Sequence, residues 1–265
     1  MSKGILVHAF NNEQIDYVKQ AVSLAKRAQT HLNLPVSIIT DCDVPDIFDN
    51  VIKISKDRYT QKIYNNGSHA QRLTFKNNSR VLSYELTPYD QTLMLDTDVI
   101  ICDNTFKQCF AQQKDLLLYK DAYDLAQTRN YNEFDKISET SVDFYWATCV
   151  YFTKSKTNEI FFNLLKHIEE NWQHYRMAYQ ILNQTYRNDF AFSIAIHIMN
   201  GHSKGDFVGH MPGKLFYTTD RDILVDINEN QLTFLLEDSN NKYFPMKTND
   251  ITVHAMNKFS LEELL

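Results

Sequence analysis

Residues 93–101 have the sequence Leu-Met-Leu-Asp-Thr-Asp-Val-Ile-Ile, in which apolar residues enclose two carboxylates. The segment that leads to the first carboxylate does not alternate between polar and apolar residues. Such a run is typical of a strand whose two faces are both buried. We therefore predict a central strand at residues 92–95 that runs into the two acids and continues through residues 99–101.

The two carboxylates, Asp96 and Asp98, are candidate metal ligands. In an extended chain residues i and i+2 point to the same side, so both side chains can face one ion. An ionised carboxylate among apolar neighbours needs a partner, and Mg²⁺ or Mn²⁺ binds carboxylate oxygens while sharing its other positions with substrate phosphates. The alternative is an acidic turn whose carboxylates bind backbone N–H groups. The apolar neighbours favour the metal.

The segments before this strand alternate between strand and helix. An apolar run at residues 4–10 is followed by apolar residues at helical spacing up to Leu32, and then by strand-like runs at residues 36–40 and 51–54. This order predicts a parallel, doubly wound α/β sheet. Ligands of open α/β sheets bind at the carboxyl ends of the strands, which is where the two acids fall.

The rest of the chain is predicted to continue the α/β pattern. A helix is predicted over residues 68–86, with Arg72 and Lys76 one turn apart on one face. The polar residues 120–141 are predicted to form a long loop with some helix. The other predicted elements are strands at 116–119, 146–152, 206–208, 223–227, 233–236 and 252–254, and helices at 157–174 and 189–199. No repeat or Pro/Gly/Ser-rich linker interrupts the chain, which favours a single domain.

The composition excludes several classes of protein. Six glycines and 5 prolines among 265 residues argue against a collagen-like chain or a flexible linker protein. A net charge of −6 provides no global positive field for nucleic acid. The four cysteines lack metal-ligand spacing, and we expect reduced, mostly buried thiols. We see no signal-peptide pattern and no apolar run near the roughly 20 residues that span a bilayer, so we expect a cytoplasmic protein.

A Pro-Tyr-Asp turn at residues 88–90 leads into the acidic strand. Together, residues 88–100 resemble the Asp-x-Asp segment of GT-A-fold glycosyltransferases, most closely the glycogenin and galactosyltransferase-like (family 8-like) group. The resemblance covers residues 4–110 well and the rest in pieces. It implies a GT-A-type, Rossmann-like domain whose central mixed, mostly parallel sheet is flanked by helices. Residues 1–105 would form the nucleotide-sugar-binding half, and residues 106–265 the acceptor-side half with a C-terminal metal and phosphate segment.

The resemblance also assigns roles to the ends of the first two strands. In the family, the end of the first strand lies against the nucleoside, which implies contacts from Ala9, Phe10 and Asn11. Asp41 falls where the family often contacts the base or ribose, and a simple turn residue is the alternative.

Two basic residues and one aromatic residue are implied to face the donor. Arg72 and Lys76 correspond to a basic helix whose side chains bind the diphosphate or ribose, with a solvated basic face as the alternative. Trp146 begins the segment Trp-Ala-Thr-Cys-Val. This segment resembles a Phe-Asn-Ala-Gly-Val segment that lines the sugar pocket in the family, although it lacks the Asn and the Gly.

Three later residues complete the implied site. Asp189 stands at a helix start where the family brings a carboxylate to the reacting sugar. It could stabilise an oxocarbenium-like centre, orient the sugar or act as a base, and a helix N-cap is the alternative. His254 corresponds to a late histidine that joins Asp96 and Asp98 at the metal, with a structural histidine as the alternative. Lys258 corresponds to a lysine that binds the donor phosphates.

The implied activity is transfer of a sugar from a nucleoside-diphosphate sugar, expected to be a UDP-sugar, with Mn²⁺ or Mg²⁺. The metal, Arg72 and Lys258 would neutralise the leaving diphosphate. The resemblance favours retention of the anomeric configuration, and inversion stays open. We expect a saccharide, a lipid-linked molecule or a protein as the acceptor, and the acidic net charge disfavours a modified DNA base.

Two alternatives to this activity remain open. The first is a sugar-phosphate nucleotidyltransferase, although such enzymes open with a Gly-rich phosphate loop that residues 4–12 lack. The second is a non-catalytic domain that binds a nucleotide sugar or a partner without turnover. Because both acids and a third candidate ligand are present, the sequence favours the enzyme.

Overall fold

The computed structural model describes residues 1–55, 59–66, 69–76, 78–129, 134–138 and 142–265. Its strands are β1 (Lys3–His8), β2 (Val36–Thr40), β3 (Asn50–Lys53), β4 (Thr60–Asn66), β5 (His69–Phe75), β6 (Gln91–Leu95), β7 (Val99–Ile100), β8 (Leu116–Tyr119), β9 (Ala122–Asp124), β10 (Trp146–Thr153), β11 (Gly209–His210), β12 (Leu215–Thr218), β13 (Ile223–Asn228), β14 (Gln231–Glu237), β15 (Tyr243–Asn249) and β16 (Val253–Ala255). Its helices are α1 (Tyr17–Leu32), α2 (Ser83–Leu86), α3 (Lys156–Glu170), α4 (Trp172–Ala178), α5 (Asn188–Met199) and α6 (Lys258–Glu263), with 3₁₀-helices at Asn78–Leu82 and Thr105–Ala111.

The central sheet has seven strands in the order β11-β8-β10-β6-β1-β2-β3. Strand β1 is parallel to β2 and β6, and β2 is parallel to β3. Strand β8 is parallel to β11, whereas β10 is antiparallel to both of its neighbours, β6 and β8. Six of these seven strands therefore run in one direction. The prediction of a mixed, mostly parallel sheet is confirmed.

Helices α1, α3 and α5 bury their apolar faces in the same core as this sheet. Helix α1 begins at Tyr17 because the side chain of Asp16 accepts a hydrogen bond from the backbone N–H of Lys19, at 2.9 Å. It ends at Leu32, and the C-cap residue Asn33 adopts a left-handed conformation with φ 51°. None of the described helices combines the length and the apolar character needed to cross a bilayer.

The Pro-Tyr-Asp turn fixes the start of β6 against its neighbours. The buried ring of Tyr89 packs directly on Gly4 of β1, a place that a side chain on residue 4 would occupy. Its hydroxyl lies 2.6 Å from Oγ of Ser37 on β2. The Asp90 carboxylate accepts a hydrogen bond from the backbone N–H of Ser2, at 2.8 Å. These contacts fix the position of β6 along its neighbours β1 and β2, and with it the point at which the acidic motif follows β6.

A second sheet, β7-β16-β12-β9, carries the chain's C-terminal part back to the acidic motif. Strand β16 pairs antiparallel with β7, so that His254 lies opposite Val99. The backbone N–H of Ala255 donates to the carbonyl oxygen of Asp98, at 2.9 Å. A three-stranded antiparallel sheet, β13-β14-β15, and a separate hairpin, β4-β5, complete the fold. The pairing of β16 with β7 therefore explains how Asp98 and His254, which are 156 positions apart in sequence, come into contact.

The helix predicted over residues 68–86 is wrong for its first half. Residues 69–75 form strand β5, which pairs with β4, and helical structure begins only at Asn78. The physical reason lies in the spacing of apolar residues. Leu73 is buried with Ile15 and Tyr64, and Phe75 packs on the same cluster two positions later, which is the period of a strand rather than of a helix.

Other boundaries differ from the prediction to a smaller extent. The helix predicted at residues 157–174 is two helices, because α3 ends at Glu170 and α4 begins at Trp172. Strands β4, β12 and β15 were not predicted. Residues 120–141 contain the short strand β9, and positions 130–133 and 139–141 lie outside the described residues. The four cysteines are free and three are buried, as predicted. The division of the chain at residue 105 stays a prediction.

Candidate functional site

A cleft of about 1330 Å³, here called the main cleft, lies where β6 ends. Parts of the chain that are far apart in sequence form its walls. The end of β1 contributes Phe10, the β4-β5 hairpin contributes Arg72, and the start of α5 contributes Asp189. The acidic motif and the C-terminal segment around His254 complete the lining. The main cleft therefore lies at the carboxyl ends of the parallel strands, as predicted.

The three predicted metal ligands converge in the main cleft. One ligand atom from each of Asp96, Asp98 and His254 lies within 4.8 Å of the others. Asp98 and His254 are 2% and 6% exposed, whereas Asp96 is half-buried. Carboxylate oxygens suit Mg²⁺ and Mn²⁺, and an imidazole nitrogen is also a ligand of the first-row transition metals. The chemistry of this donor set therefore fits a divalent metal ion.

Asp98 has two side-chain partners, His254 and Lys258. Its Oδ2 lies 3.1 Å from Nε2 of His254 and accepts a hydrogen bond from the ammonium group of Lys258. Burial alone would raise the pKa of Asp98, but His254 and Lys258 outweigh it and hold this pKa well below its ordinary value. Asp98 is therefore ionised at neutral pH, and the predicted phosphate ligand Lys258 lies directly beside the ligand set.

Asp96 is bound by Arg80, a residue that the sequence analysis did not single out. The Arg80 guanidinium forms an ion pair with Asp96 and donates a second hydrogen bond to the carbonyl oxygen of Ala147. Only 6% of Arg80 is exposed. A signal was present in the sequence, because Val81 and Leu82 follow Arg80 directly, and a buried guanidinium needs partners.

Asp189 is joined to the same network through the backbone of Ala147. The N–H of Ala147 donates to Oδ1 of Asp189 at 2.9 Å, and Arg187 donates to Oδ2 at 3.1 Å. Helix α5 begins at Asn188 with Arg187 as its N-cap residue. The alternative interpretation of Asp189 as the N-cap is therefore wrong. The backbone of Ala147, through its N–H and its carbonyl oxygen, bridges Asp189 to Arg80 and with it to the acidic motif.

Trp146 lies in the wall between these groups and the second sheet. It is 2% exposed, and its ring centroid lies 5.1 Å from that of Tyr217 and 6.4 Å from that of His254. Its Nε1 is buried and has no hydrogen-bond acceptor among the described residues. A buried indole N–H normally finds a partner, so this nitrogen is an exception within the wall of the cleft.

The residues at the end of β1 contribute unequally. Phe10 lines the main cleft, while the buried Ala9 and the half-buried Asn11 do not. The side-chain oxygen of Asn11 accepts a hydrogen bond from the backbone N–H of Val18, at 3.0 Å, and so helps to fix the start of α1. Of the three residues that resemblance placed at the nucleoside, Phe10 alone has its side chain in the cleft wall.

Arg72 and Lys76 both line the main cleft, although they do not lie on a helix. Residues four apart also point to one side of an extended chain, so the strand gives the same result as the predicted helix. Nζ of Lys76 lies 3.0 Å from Oδ2 of Asp41, which is outside the cleft wall. Burial raises the pKa of Asp41, but hydrogen bonds from Cys42 and Lys76 together lower it by more. The pKa of Asp41 is therefore below its ordinary value.

The main cleft is more basic than the protein that contains it. Eight Lys and Arg side chains and six Asp and Glu side chains line it, an excess of two positive charges in a chain of net charge −6. Lys62 is exposed to solvent but lies inside the cleft. There the loss of hydration, together with nearby Lys258 and Arg187, lowers its pKa to about 8. This distribution favours an anionic ligand.

Comparison with known proteins gives matches among solved structures only. No protein-family model and no curated protein sequence matches the chain. The structure of apo-form glycosyltransferase GlyE from Streptococcus pneumoniae TIGR4 aligns with a TM-score of 0.47 at 12% identity, over 79% of this chain and 45% of that chain. Galactosyltransferase LgtC in complex with donor and acceptor sugar analogs aligns with a TM-score of 0.45 at 14% identity, over 82% of this chain and 74% of that chain.

Both proteins are glycosyltransferases, the class that the acidic motif resembles. The chain spans less than half of the length of the GlyE structure. At this identity and with TM-scores below 0.5, we transfer no residue role from either structure. The functional proposal below is based on the geometry of this chain.

Proposed function

We propose that the protein is a metal-dependent glycosyltransferase that transfers a sugar from a nucleoside-diphosphate sugar, a UDP-sugar, to an acceptor hydroxyl. One observation carries the proposal. Asp96, Asp98 and His254 converge at the end of the central strand, with Lys258 beside them, in a cleft whose wall carries an excess of positive charge. A ligand that carries two phosphates and binds a divalent metal matches both features.

Asp98 and His254, with Asp96, would hold Mn²⁺ or Mg²⁺, and the bound ion would supply positive charge beside the diphosphate. Lys258 already contacts Asp98, so its ammonium group is placed to bind the diphosphate oxygens from the same side. Arg72 would add charge from the β4-β5 hairpin, and Phe10 would offer an apolar surface to the base. These residues together stabilise the leaving group as negative charge develops on it.

The proposed reaction makes and breaks one bond at the anomeric carbon. The acceptor hydroxyl oxygen bonds to that carbon, and the bond from the carbon to the diphosphate oxygen breaks. The nucleoside diphosphate leaves with the bonding electrons, and the hydroxyl proton is released to water. The stereochemistry of this step stays open.

We propose a positioning and electrostatic role for Asp189 rather than that of a base. Both of its carboxylate oxygens accept hydrogen bonds, one from Ala147 and one from Arg187. A carboxylate held in this way keeps its orientation, which suits stabilisation of an oxocarbenium-like sugar. Arg80 connects this carboxylate to Asp96 through the backbone N–H and carbonyl oxygen of Ala147, so the sugar side and the metal side would be fixed by one network.

Thermal-shift measurements with UDP and a set of UDP-sugars, each with and without Mn²⁺, test the proposal. We expect stabilisation that requires both the nucleotide and the metal, followed by release of UDP from the productive donor. Stabilisation without any release of UDP would favour the non-catalytic alternative. Formation of pyrophosphate from UTP and a sugar 1-phosphate would favour the nucleotidyltransferase. Absence of any stabilisation by UDP or UDP-sugars would overturn the proposal.

A further inference from the structure

Helix α1 carries a buried polar residue on its apolar face. Seven residues of α1 are buried, and Gln20 is the only polar one among them in this fully described helix. Gln20 lies three positions from Tyr17 and four from Leu24, so it shares the face of α1 that packs in the core of the central sheet. An apolar side chain is the ordinary choice at such a position.

The amide group of Gln20 is only half paired. Its Oε1 accepts a hydrogen bond from Oγ1 of Thr97, at 3.2 Å. Its Nε2 is buried and has no hydrogen-bond acceptor within the described part of the chain. A buried donor without a partner lowers the stability of a fold. Stability therefore does not explain why an amide stands here, and the contact with Thr97 is the feature to be explained.

Thr97 is the middle residue of the acidic motif, and the residues on both sides of it are tied to strands. The backbone N–H of Asp96 donates to the carbonyl oxygen of Thr148 on β10, at 2.9 Å. The carbonyl oxygen of Asp98 accepts from the N–H of Ala255 on β16, also at 2.9 Å. Thr97 is held through its hydroxyl group by α1. Three different elements therefore hold three successive residues of the motif.

A second contact shows that α1 follows the acidic segment along its length. Arg27 lies seven positions after Gln20, on the same face of the helix, and donates to the carbonyl oxygen of Ile101 at 3.0 Å. The helix thus contacts the segment at Thr97 and again four residues later. Thr97 lines the main cleft, whereas Gln20 does not. Gln20 therefore affects a ligand in the cleft through Thr97.

We propose that Gln20 is a positioning residue for the metal, which holds the carboxylates of Asp96 and Asp98 in their metal-binding geometry through Thr97. The inference rests on the proposed function for the presence of the metal. Mg²⁺ demands a nearly ideal arrangement of its ligands. Loss of a group that orients a ligand typically lowers metal affinity about 10-fold to 100-fold. The buried amide thus lowers the stability of the fold and fixes the geometry of the ligands.

Gln20→Met tests the inference, because methionine has a similar length and shape but no amide group. Mn²⁺ affinity, measured by electron paramagnetic resonance on the protein without nucleotide, should fall about tenfold. The midpoint of urea denaturation should not fall, because the unpaired donor leaves the core. Gln29→Met changes an exposed glutamine of the same helix and should leave both quantities at their wild-type values.

Substitutions of Thr97 distinguish positioning from general packing. Thr97→Ser keeps the hydroxyl group and should bind Mn²⁺ like wild type. Thr97→Val keeps the shape but leaves Oε1 of Gln20 without a donor, so both Mn²⁺ affinity and the denaturation midpoint should fall. Adding Gln20→Met to Thr97→Val should restore the midpoint without weakening Mn²⁺ binding further, because both changes remove the same contact.

The outcomes separate this inference from the proposed function. Wild-type Mn²⁺ affinity in Gln20→Met, with or without a lower midpoint, would make Gln20 a structural residue and leave the proposed metal site standing. Losses of Mn²⁺ affinity that add fully in the double variant would also overturn the inference, because the two side chains would then act independently. If the wild-type protein binds no Mn²⁺, the proposed function fails and the inference fails with it.

Discussion

The two walls of the main cleft are built in opposite ways. On one wall, Asp98 lies in the turn between β6 and β7 and His254 lies on β16, and both are nearly fully buried. On the other wall, Lys62 and Arg72 are exposed on the β4-β5 hairpin, whose strands pair only with each other among the described residues. We name these the acidic wall and the hairpin wall.

This difference suits the two walls to two tasks, holding a metal ion and binding the nucleotide. Groups that are buried and paired keep one geometry before a ligand arrives, which suits a metal ion with strict demands on distance. Exposed lysine and arginine side chains can adjust to a ligand, and each contributes a modest electrostatic attraction. Substitutions on the acidic wall should therefore have large effects that depend on the metal. Substitutions on the hairpin wall should have smaller effects on the affinity for the nucleotide.

The largest effect is expected for Asp98→Asn. Turnover should fall by roughly a hundredfold or more, because the ligand set loses a charge that positions the metal beside the leaving group. The variant should also lose about 3–5 kcal/mol of stability, because Lys258 would keep a buried charge without its partner. Steady-state turnover and Mn²⁺ binding, followed by electron paramagnetic resonance, measure the first effect. Chemical denaturation measures the loss of stability.

A double variant separates the two effects of Asp98→Asn. Adding Lys258→Met removes the unpaired charge, so stability should recover while Mn²⁺ binding stays lost. Mn²⁺ binding by Asp98→Asn at the wild-type level would remove Asp98 from the ligand set. Unchanged stability of that single variant would mean that the ion pair with Lys258 contributes nothing in solution.

The contrast between the walls also explains which parts could be predicted from the sequence. The acidic motif and β6 were predicted because an unbroken apolar run next to two acids is a local signal. Strand β5 was predicted as part of a helix because its signal is the pairing of Leu73 with Lys62 of β4, a contact between two segments. Exposed polar residues such as Arg72 fit a helix or a strand equally well.

Contacts between residues that are distant in sequence were harder to predict than the acidic motif itself. Resemblance correctly brought His254 to the acidic motif, but no spacing within the chain predicts that β16 pairs with β7. Arg80 was not predicted as a site residue because its two partners, Asp96 and the Ala147 carbonyl oxygen, come from distant segments of the chain. The ion pair of Asp98 with Lys258 is likewise a contact between distant segments, and it changes the expected stability of Asp98 variants.

Arg80 should have the next largest effect. Arg80→Lys keeps the charge, but an ammonium group cannot hold both Asp96 and the Ala147 carbonyl in the geometry of a guanidinium fork. We expect kcat to fall about tenfold to a hundredfold, with a smaller change in the Mn²⁺ concentration that gives half-maximal rate. Steady-state kinetics over a Mn²⁺ titration measure both quantities. A normal kcat in Arg80→Lys would show that this positioning network does not matter for the reaction.

His254→Ala tests the late ligand on the acidic wall. Loss of one of three ligands should raise the Mn²⁺ concentration needed for half-maximal activity about tenfold, and high Mn²⁺ should partly restore the rate. His210→Ala, an exposed histidine on β11, is the matched control and should titrate like wild type. If folded His254→Ala has the same Mn²⁺ titration as the control, the histidine is structural.

On the hairpin wall, Arg72→Ala should weaken the binding of UDP and of the UDP-sugar by the same factor. A hydrogen bond to a charged group contributes about 1.5–3 kcal/mol, so we expect about a tenfold or larger rise in Kd. Isothermal titration calorimetry measures both ligands. Lys247→Ala, an exposed lysine on β15, is the control. Unchanged UDP affinity in Arg72→Ala would place this arginine on a solvated face instead.

The smallest effect concerns the pH dependence of the hairpin wall. The pKa of Lys62 is lowered to about 8, so its side chain carries a charge at pH 7 and is mostly neutral at pH 9. The terminal phosphate of UDP, with a pKa of about 6, is already mostly ionised at pH 7, and its remaining ionisation would strengthen rather than weaken binding to a cationic wall. The affinity for UDP should therefore fall about twofold to fivefold from pH 7 to pH 9, the size of a solvent-screened charge contact. Lys62→Met should bind like wild type at pH 9 and should lack this part of the pH dependence. The same decline in Lys62→Met as in wild type would assign the titration to another group and would leave Arg72 as the hairpin's proposed contact with the diphosphate.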